Sequence, residues 1–148
     1  GDGAWQAAGG GKVLQVVSSL FNNAQVESTS TSWASTTHTG AITLSATASK
    51  LLVILTGHAY GTTANQAGFD LYYDKGGAGF NSMGVLTRGD GKQDGFSKAL
   101  SVLVSPSSTA VLTVAVYFKS YDTSSVYYNY NGATTTYSNM ILMEIDGS

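Results

Sequence analysis

The chain has 148 residues, 11% of them charged, a net charge of -2 and no cysteine. That length suits one domain with a buried core, and the missing cysteines exclude disulfide scaffolds, thiolate zinc sites and cysteine nucleophiles. The few lysines and arginines are scattered, so no basic cluster is present to hold nucleic acid or an anionic membrane.

Residues 1–12 carry Trp5 among small residues, then Gly9, Gly10 and Gly11. They are expected to form a flexible junction from an upstream region, because consecutive glycines hold a strand poorly. Val13 to Val17 follows as a run apolar on both faces. Ile42, Leu44 and Ala46 alternate with Thr43 and Ser45, the period of a half-buried strand. Leu51 to Leu55 is a second two-faced run, too short to cross a membrane as a helix. Phe69, Leu71 and Tyr73 alternate with Asp70, Tyr72 and Asp74. Leu100, Val102 and Val104 point one way. Leu112, Val114, Val116 and Phe118 alternate with Thr113, Ala115 and Tyr117. Within 139–145, Ile141, Met143 and Ile145 face away from Met140 and Leu142.

Turn signals separate these runs: Asn22-Asn23, Thr39-Gly40, Gly61 to Asn65, Gly76-Gly77, Gly89 to Gly91, Ser105-Pro106 and Asn131-Gly132. The pattern predicts an all-β domain over 13–148, an antiparallel, jelly-roll-like β-sandwich of about eight strands. The runs at 13–17, 51–55 and 139–145 are each apolar on two faces. One isolated sandwich has difficulty covering all three, so association of subunits is expected.

Catalytic chemistry finds little to work with. His38 and His58 have no second histidine or carboxylate at metal-ligand spacing, so both are expected to be structural or surface residues. Asp90 and Asp94 flank a Gly-Lys-Gln stretch, and Asp70 and Asp74 share a strand face. Both pairs read as solvated turn or edge-strand residues rather than as a glycosidase pair. Arg88-Gly89-Asp90 resembles the loop motif read by integrins, but it sits in a Gly-rich hairpin tip whose turn chemistry already explains it. No nucleophile elbow, phosphate loop or dinucleotide fingerprint is present. The expectation is a non-enzyme with no metal and no cofactor.

Tyrosine is the informative residue. Tyr117, Tyr121, Tyr127, Tyr128 and Tyr130 fall within fourteen residues, interleaved with Asp122, Asn129 and Asn131. Tyrosine carries a large contact area and a polar tip on only two rotatable bonds, which suits recognition. Rings beside amides also suit sugars, whose C–H faces stack while their hydroxyls find polar partners. Packing within strands is the simpler alternative for the same residues. The candidate ligand-binding set is Tyr121, Tyr127, Tyr128, Asn129 and Tyr130, with Tyr60 and Asn65 from the Gly57–Gly68 loop.

Three stretches, GKVLQVVSS, STSTSWASTTHTGAITLSATASKLLVIL and the closing MILMEI, resemble a domain of tailed-bacteriophage virion proteins, especially marine ones. There it forms the C-terminal head of tail-fibre-like or other structural proteins. The resemblance covers both ends and the first third of the chain and leaves roughly 57–134 unmatched, as a fixed frame carrying variable loops would. It implies a homotrimer with termini on one side and loops on the other, Trp5 anchored near its axis or against a neighbouring subunit, and a place on the extracellular phage particle. Its partners would be other virion proteins and a host-surface glycan or protein. The alternative within the same family is an architectural role, such as capsid decoration, with contacts only to other virion proteins. The family supplies no catalytic residues.

Overall fold

The computed structural model describes residues 12–22, 25–62, 67–84, 87–89, 96–129 and 137–147, and for 87–89 and 96–98 the backbone only. Among the described residues every regular element is a strand: β1 (Val13–Phe21), β2 (Val26–Ser28), β3 (Ala34–Thr43), β4 (Lys50–Gly61), β5 (Ala67–Lys75), β6 (Asn81–Ser82), β7 (Thr87–Gly89), β8 (Phe96–Val104), β9 (Val111–Ser120), β10 (Val126–Tyr128) and β11 (Ser138–Ile145). All pairings are antiparallel. The expected junction at 1–12 lies outside the described residues except for Lys12.

Several of these strands are short segments set end to end. β4 pairs with β11 through Lys50–Thr56 and with β10 through Ala59–Gly61, along one edge. β1 pairs with β11 and β2 with β10, so β1 and β2 also run in line. β6 and β7 lie one after the other along β5. Merged this way, sheet A reads β1/β2, β11/β10, β4, β8, and sheet B reads β3, β9, β5, β6/β7. In chain order the positions are 1-8-3-6 and 2-7-4-5, the order of a jelly roll. The expected β-sandwich is therefore present.

The alternation seen in the sequence becomes the core. Leu51, Val53 and Leu55 of β4, Leu100 of β8 and Met140 and Leu142 of β11 face inward from sheet A. Leu71, Leu112, Val114, Val116 and Phe118 meet them from sheet B. Burying one such side chain is worth roughly 1.5–3 kcal/mol, and packing makes much of that conditional on shape. Ala46 departs from its expected strand: β3 ends at Thr43, and Ala46 accepts a turn hydrogen bond from the Ser49 N–H. Asp70 departs too. β5 is central, with β9 on one side and β6/β7 on the other, so Asp70 is 4% exposed rather than solvated at an edge.

A buried carboxylate clips the end of the sandwich where Lys12 and Asp146 meet. Glu144 of β11 is 1% exposed. It accepts hydrogen bonds from the Ser45 N–H at 2.7 Å, the Ser45 hydroxyl at 2.6 Å and the Gln15 amide at 2.7 Å. Burial alone would raise its pKa. The hydrogen bonds from the Ser45 and Ser49 hydroxyls, the Ser45 N–H and Gln15 outweigh burial and hold it down to about 2. These partners come from β1 and from the turn between β3 and β4, so one side chain ties three segments together.

A folded-state pKa below the unfolded one gives stability that is full above about 4.5 and lost as pH falls toward about 2. Glu144→Gln is expected to lower the unfolding free energy at neutral pH by roughly 1.5–3 kcal/mol, because it removes the charge that four donors serve. Urea denaturation across pH 2–7 checks this: the variant should be less stable at neutral pH and lose less on acidification.

Candidate functional site

The expected tyrosine site does not assemble as one surface. Tyr128 is 2% exposed and lies among core residues. Its hydroxyl donates to His38 Nδ1 at 2.7 Å, and its ring packs against Phe21 and Phe69. Asn129 is also 2% exposed, adopts a left-handed backbone (φ 55) and accepts a hydrogen bond from Ser138 Oγ at 3.2 Å. Both side chains are buried. The reason is the strand period: in β10, Val126 and Tyr128 point inward and Tyr127 outward. Tyr127 packs on Tyr60 with ring centroids 5.9 Å apart and donates to Glu27 Oε1 at 3.1 Å. Asn65 and Tyr130 lie outside the described residues, as do Asp90 and Asp94.

His38 is a core residue, not a surface one. Its Nε2 lies 2.9 Å from the Ser19 carbonyl, which can only accept, so Nε2 carries the proton and Nδ1 accepts from Tyr128. Burial lowers its pKa, and the bond to Ser19 offsets only part of that. The turn of β3 that aims it inward is a bulge. Register slips between Ser35 and Thr39, Thr37 takes φ 66, and Thr36 Oγ1 donates to the Val116 carbonyl at 2.9 Å. A β-branched residue in that region is strained, and the buried Thr36 and His38 on either side hold it there.

The surface with recognition chemistry is the outer face of sheet B. Register places Asp70 opposite Tyr117, Tyr72 opposite Ala115 and Gly68 opposite Lys119. Tyr72 and Tyr117 stack at 4.2 Å. Trp33, in the segment leading into β3, tilts 55° against Tyr72 at 6.3 Å, and Phe80 tilts 50° against Tyr117 at 5.8 Å. Four rings thus form one row across the sheet. They roof Ala115, which points outward yet is 1% exposed.

Gly68 makes room at one end of this row. A methyl group there would sit 3.1 Å from both the Trp33 and Tyr121 rings. Lys119 Nζ lies 4.9 Å from the Trp33 ring centre and 4.5 Å from that of Tyr121, a cation held between two π-faces. Under the row, Asp70 Oδ2 accepts from Ser82 Oγ at 2.5 Å. Burial, the Asp70 charge and Tyr117 together raise the pKa of Tyr72, so its hydroxyl remains a donor at neutral pH.

Of the expected residues, Tyr121 belongs to this face, while Tyr60 and Tyr127 form a separate pair on sheet A. Trp33, Tyr72, Tyr117 and Phe80 were not in the expected set. Among the described residues no group of three histidines or carboxylates could hold a metal ion. No protein-family model matches the chain, and no curated protein matches it significantly.

Tyr128→Phe is expected to cost roughly 1–3 kcal/mol of stability, since it leaves His38 Nδ1 buried without its donor. Calorimetric unfolding of the variant beside the parent measures the loss. The crystallographic or NMR surface of sheet B should be unchanged.

Proposed function

We propose that this chain is a glycan-binding head domain of a bacteriophage virion protein, and that it attaches to a host surface through the outer face of sheet B. The observation that carries this reading is the row of Trp33, Tyr72, Tyr117 and Phe80 above Asp70 and Ser82. Stacked on each other, Tyr72 and Tyr117 offer ring edges and hydroxyls. The tilted Trp33 and Phe80 offer faces on which the C–H surface of a sugar can lie. Lys119 and the phenol hydroxyls supply donors at the rim. Phe80 is 40% exposed, so part of the row is open to solvent before any ligand arrives.

The virion setting rests on the resemblance of the frame segments. Those segments become β1, β3, β4 and β11, three of which are neighbours in sheet A. Tyr72, Phe80 and Tyr117 of the aromatic row lie in the part of the chain outside the resemblance, whereas Trp33 lies within it. A fixed frame with most of its recognition rings in the unmatched segment suits a protein whose receptor changes with its host. Binding through a few rings is weak per site, and a dense receptor compensates when several heads engage together.

A glycan array followed by titration tests the reading. Tyr117→Ala and Trp33→Ala are each expected to weaken binding of an array-selected oligosaccharide at least about tenfold, ~1.4 kcal/mol. Tyr127→Ala, on the other sheet, should stay within about twofold. A Tyr117→Ala protein that binds as tightly as the parent removes sheet B from consideration.

A further inference from the structure

Lys119 stands where the aromatic row of sheet B ends, and its ammonium is held between rings. Register puts Lys119 opposite Gly68. A methyl group on Gly68 would meet both Trp33 and Tyr121 at 3.1 Å, so the two rings converge on this point. Lys119 Nζ lies 4.9 Å from the first ring centre and 4.5 Å from the second. The lysine is half-buried. Among the described residues its partners are these two rings, and no carboxylate lies within ion-pair distance of it. Ring faces attract a cation without taking up its three N–H donors in strong hydrogen bonds, so the ammonium keeps its donors for solvent or a ligand.

The carboxylates on the same face are engaged elsewhere. Asp70 follows Gly68 along β5 and accepts from Ser82, on the β6 side of the strand and away from β9. Asp122, just past β9, accepts from the Ser120 hydroxyl and from the N–H and hydroxyl of Ser124. Asp74 accepts from the Gly79 N–H at the far end of β5. At the usual strand rise it stands about 20 Å from the Gly68 end, well beyond the screening length at physiological salt. The positive charge of Lys119 is therefore left for a ligand to meet.

From this we propose that the ligand of the sheet B face is an acidic saccharide, with its carboxylate or sulfate on the Lys119 ammonium and its ring on the neighbouring aromatics. The proposal rests on the glycan reading above and narrows it to one charge class. An acidic sugar carries its charge a bond or two from the ring. A ring lying beside Trp33 therefore brings that charge to Lys119 Nζ, 4.9 Å from the Trp33 ring centre. Trp33 and Tyr121 already restrict the lysine, so less side-chain freedom is lost when the anion arrives. A half-buried ammonium also binds an anion more strongly than a fully hydrated one does, through charge-assisted hydrogen bonds. One lysine serves one charge at a time. A polyanion such as single-stranded nucleic acid needs a basic track instead, which a chain of net charge -2 is poorly suited to supply.

Titration of the full chain with matched saccharide pairs tests it. The probes are oligogalacturonate, sialyllactose and a sulfated galactan oligosaccharide, beside the methyl ester, lactose and the desulfated form. At least one charged member is expected to bind at least about tenfold tighter than its uncharged counterpart, and which pair shows this tells carboxylate from sulfate. Raising salt from about 50 to about 500 mM should weaken that charged member several-fold and shrink the preference. Lys119→Met keeps the apolar stem against the rings and is expected to remove the preference, whereas Lys119→Arg should retain it, both with the parent's circular dichroism. Equal binding of charged and uncharged members by the parent overturns the inference and leaves the glycan reading standing. A preference that survives in Lys119→Met overturns it in the same way. Binding of oligothymidylate more tightly than of any charged saccharide overturns it too. A parent that binds no saccharide of either kind, here or on the array, removes the inference and the glycan reading together.

Discussion

His38 holds the sandwich together where apolar packing alone would leave it undetermined. It leaves sheet B from the bulge in β3 and reaches two strands of sheet A, through the Ser19 carbonyl of β1 and the Tyr128 hydroxyl of β10. Phe21 stacks on its ring at 5.2 Å. A buried imidazole is costly unless both nitrogens are served, and in this arrangement sheet A serves both. Glu144 does the corresponding work at the other end of the sandwich. Between these two polar clips the apolar core is free to be merely well filled. Acid acts on both: below about 6.5 the unfolded chain binds a proton at histidine that the buried His38 resists, and stability falls as pH drops through that range.

With the sheets fixed, each outer face follows from the strand period. An inward core of leucine, valine and phenylalanine sends every second residue outward. On sheet B the outward set is Asp70, Tyr72, Ala115, Tyr117 and Lys119, which is rich in rings and hydrogen-bonding groups. On sheet A it is Val16, Leu52, Ile54, Leu103, Ile141 and Met143, which is apolar. One sandwich therefore carries two chemically different surfaces.

Much of the fold is legible in the sequence because alternation is a local property. β5, β8 and β9 announce themselves by apolar residues two apart, and the structure places those residues inward; β11 is apolar on both faces, with Met140 and Leu142 inward and Ile141 and Met143 outward. β3 is less legible. Its inward positions include Thr36, His38 and Gly40, and no apolar pattern marks a face whose members are polar or small. Threonine's preference for strands was the available signal. Tyr128 is hard to place from sequence for a related reason: five tyrosines crowded together suggest a surface, but Val126 and Tyr128 share an inward face and Tyr127 does not. The aromatic row was invisible for a different reason. Tyr72 and Tyr117 each stood on an outward face in the sequence pattern, yet they are distant along the chain. Only the register of β5 against β9 brings them into contact, and register depends on the whole sheet.

The central claim is that recognition belongs to the outer face of sheet B. An NMR titration of the isotope-labelled domain with an array-selected oligosaccharide addresses it most directly, because every backbone amide reports at once. The account predicts shift changes concentrated at Trp33, Gly68 to Tyr72, Phe80 to Ser82 and Ala115 to Tyr121. Changes confined to Tyr60, Tyr127 and their neighbours, with sheet B silent, would contradict it.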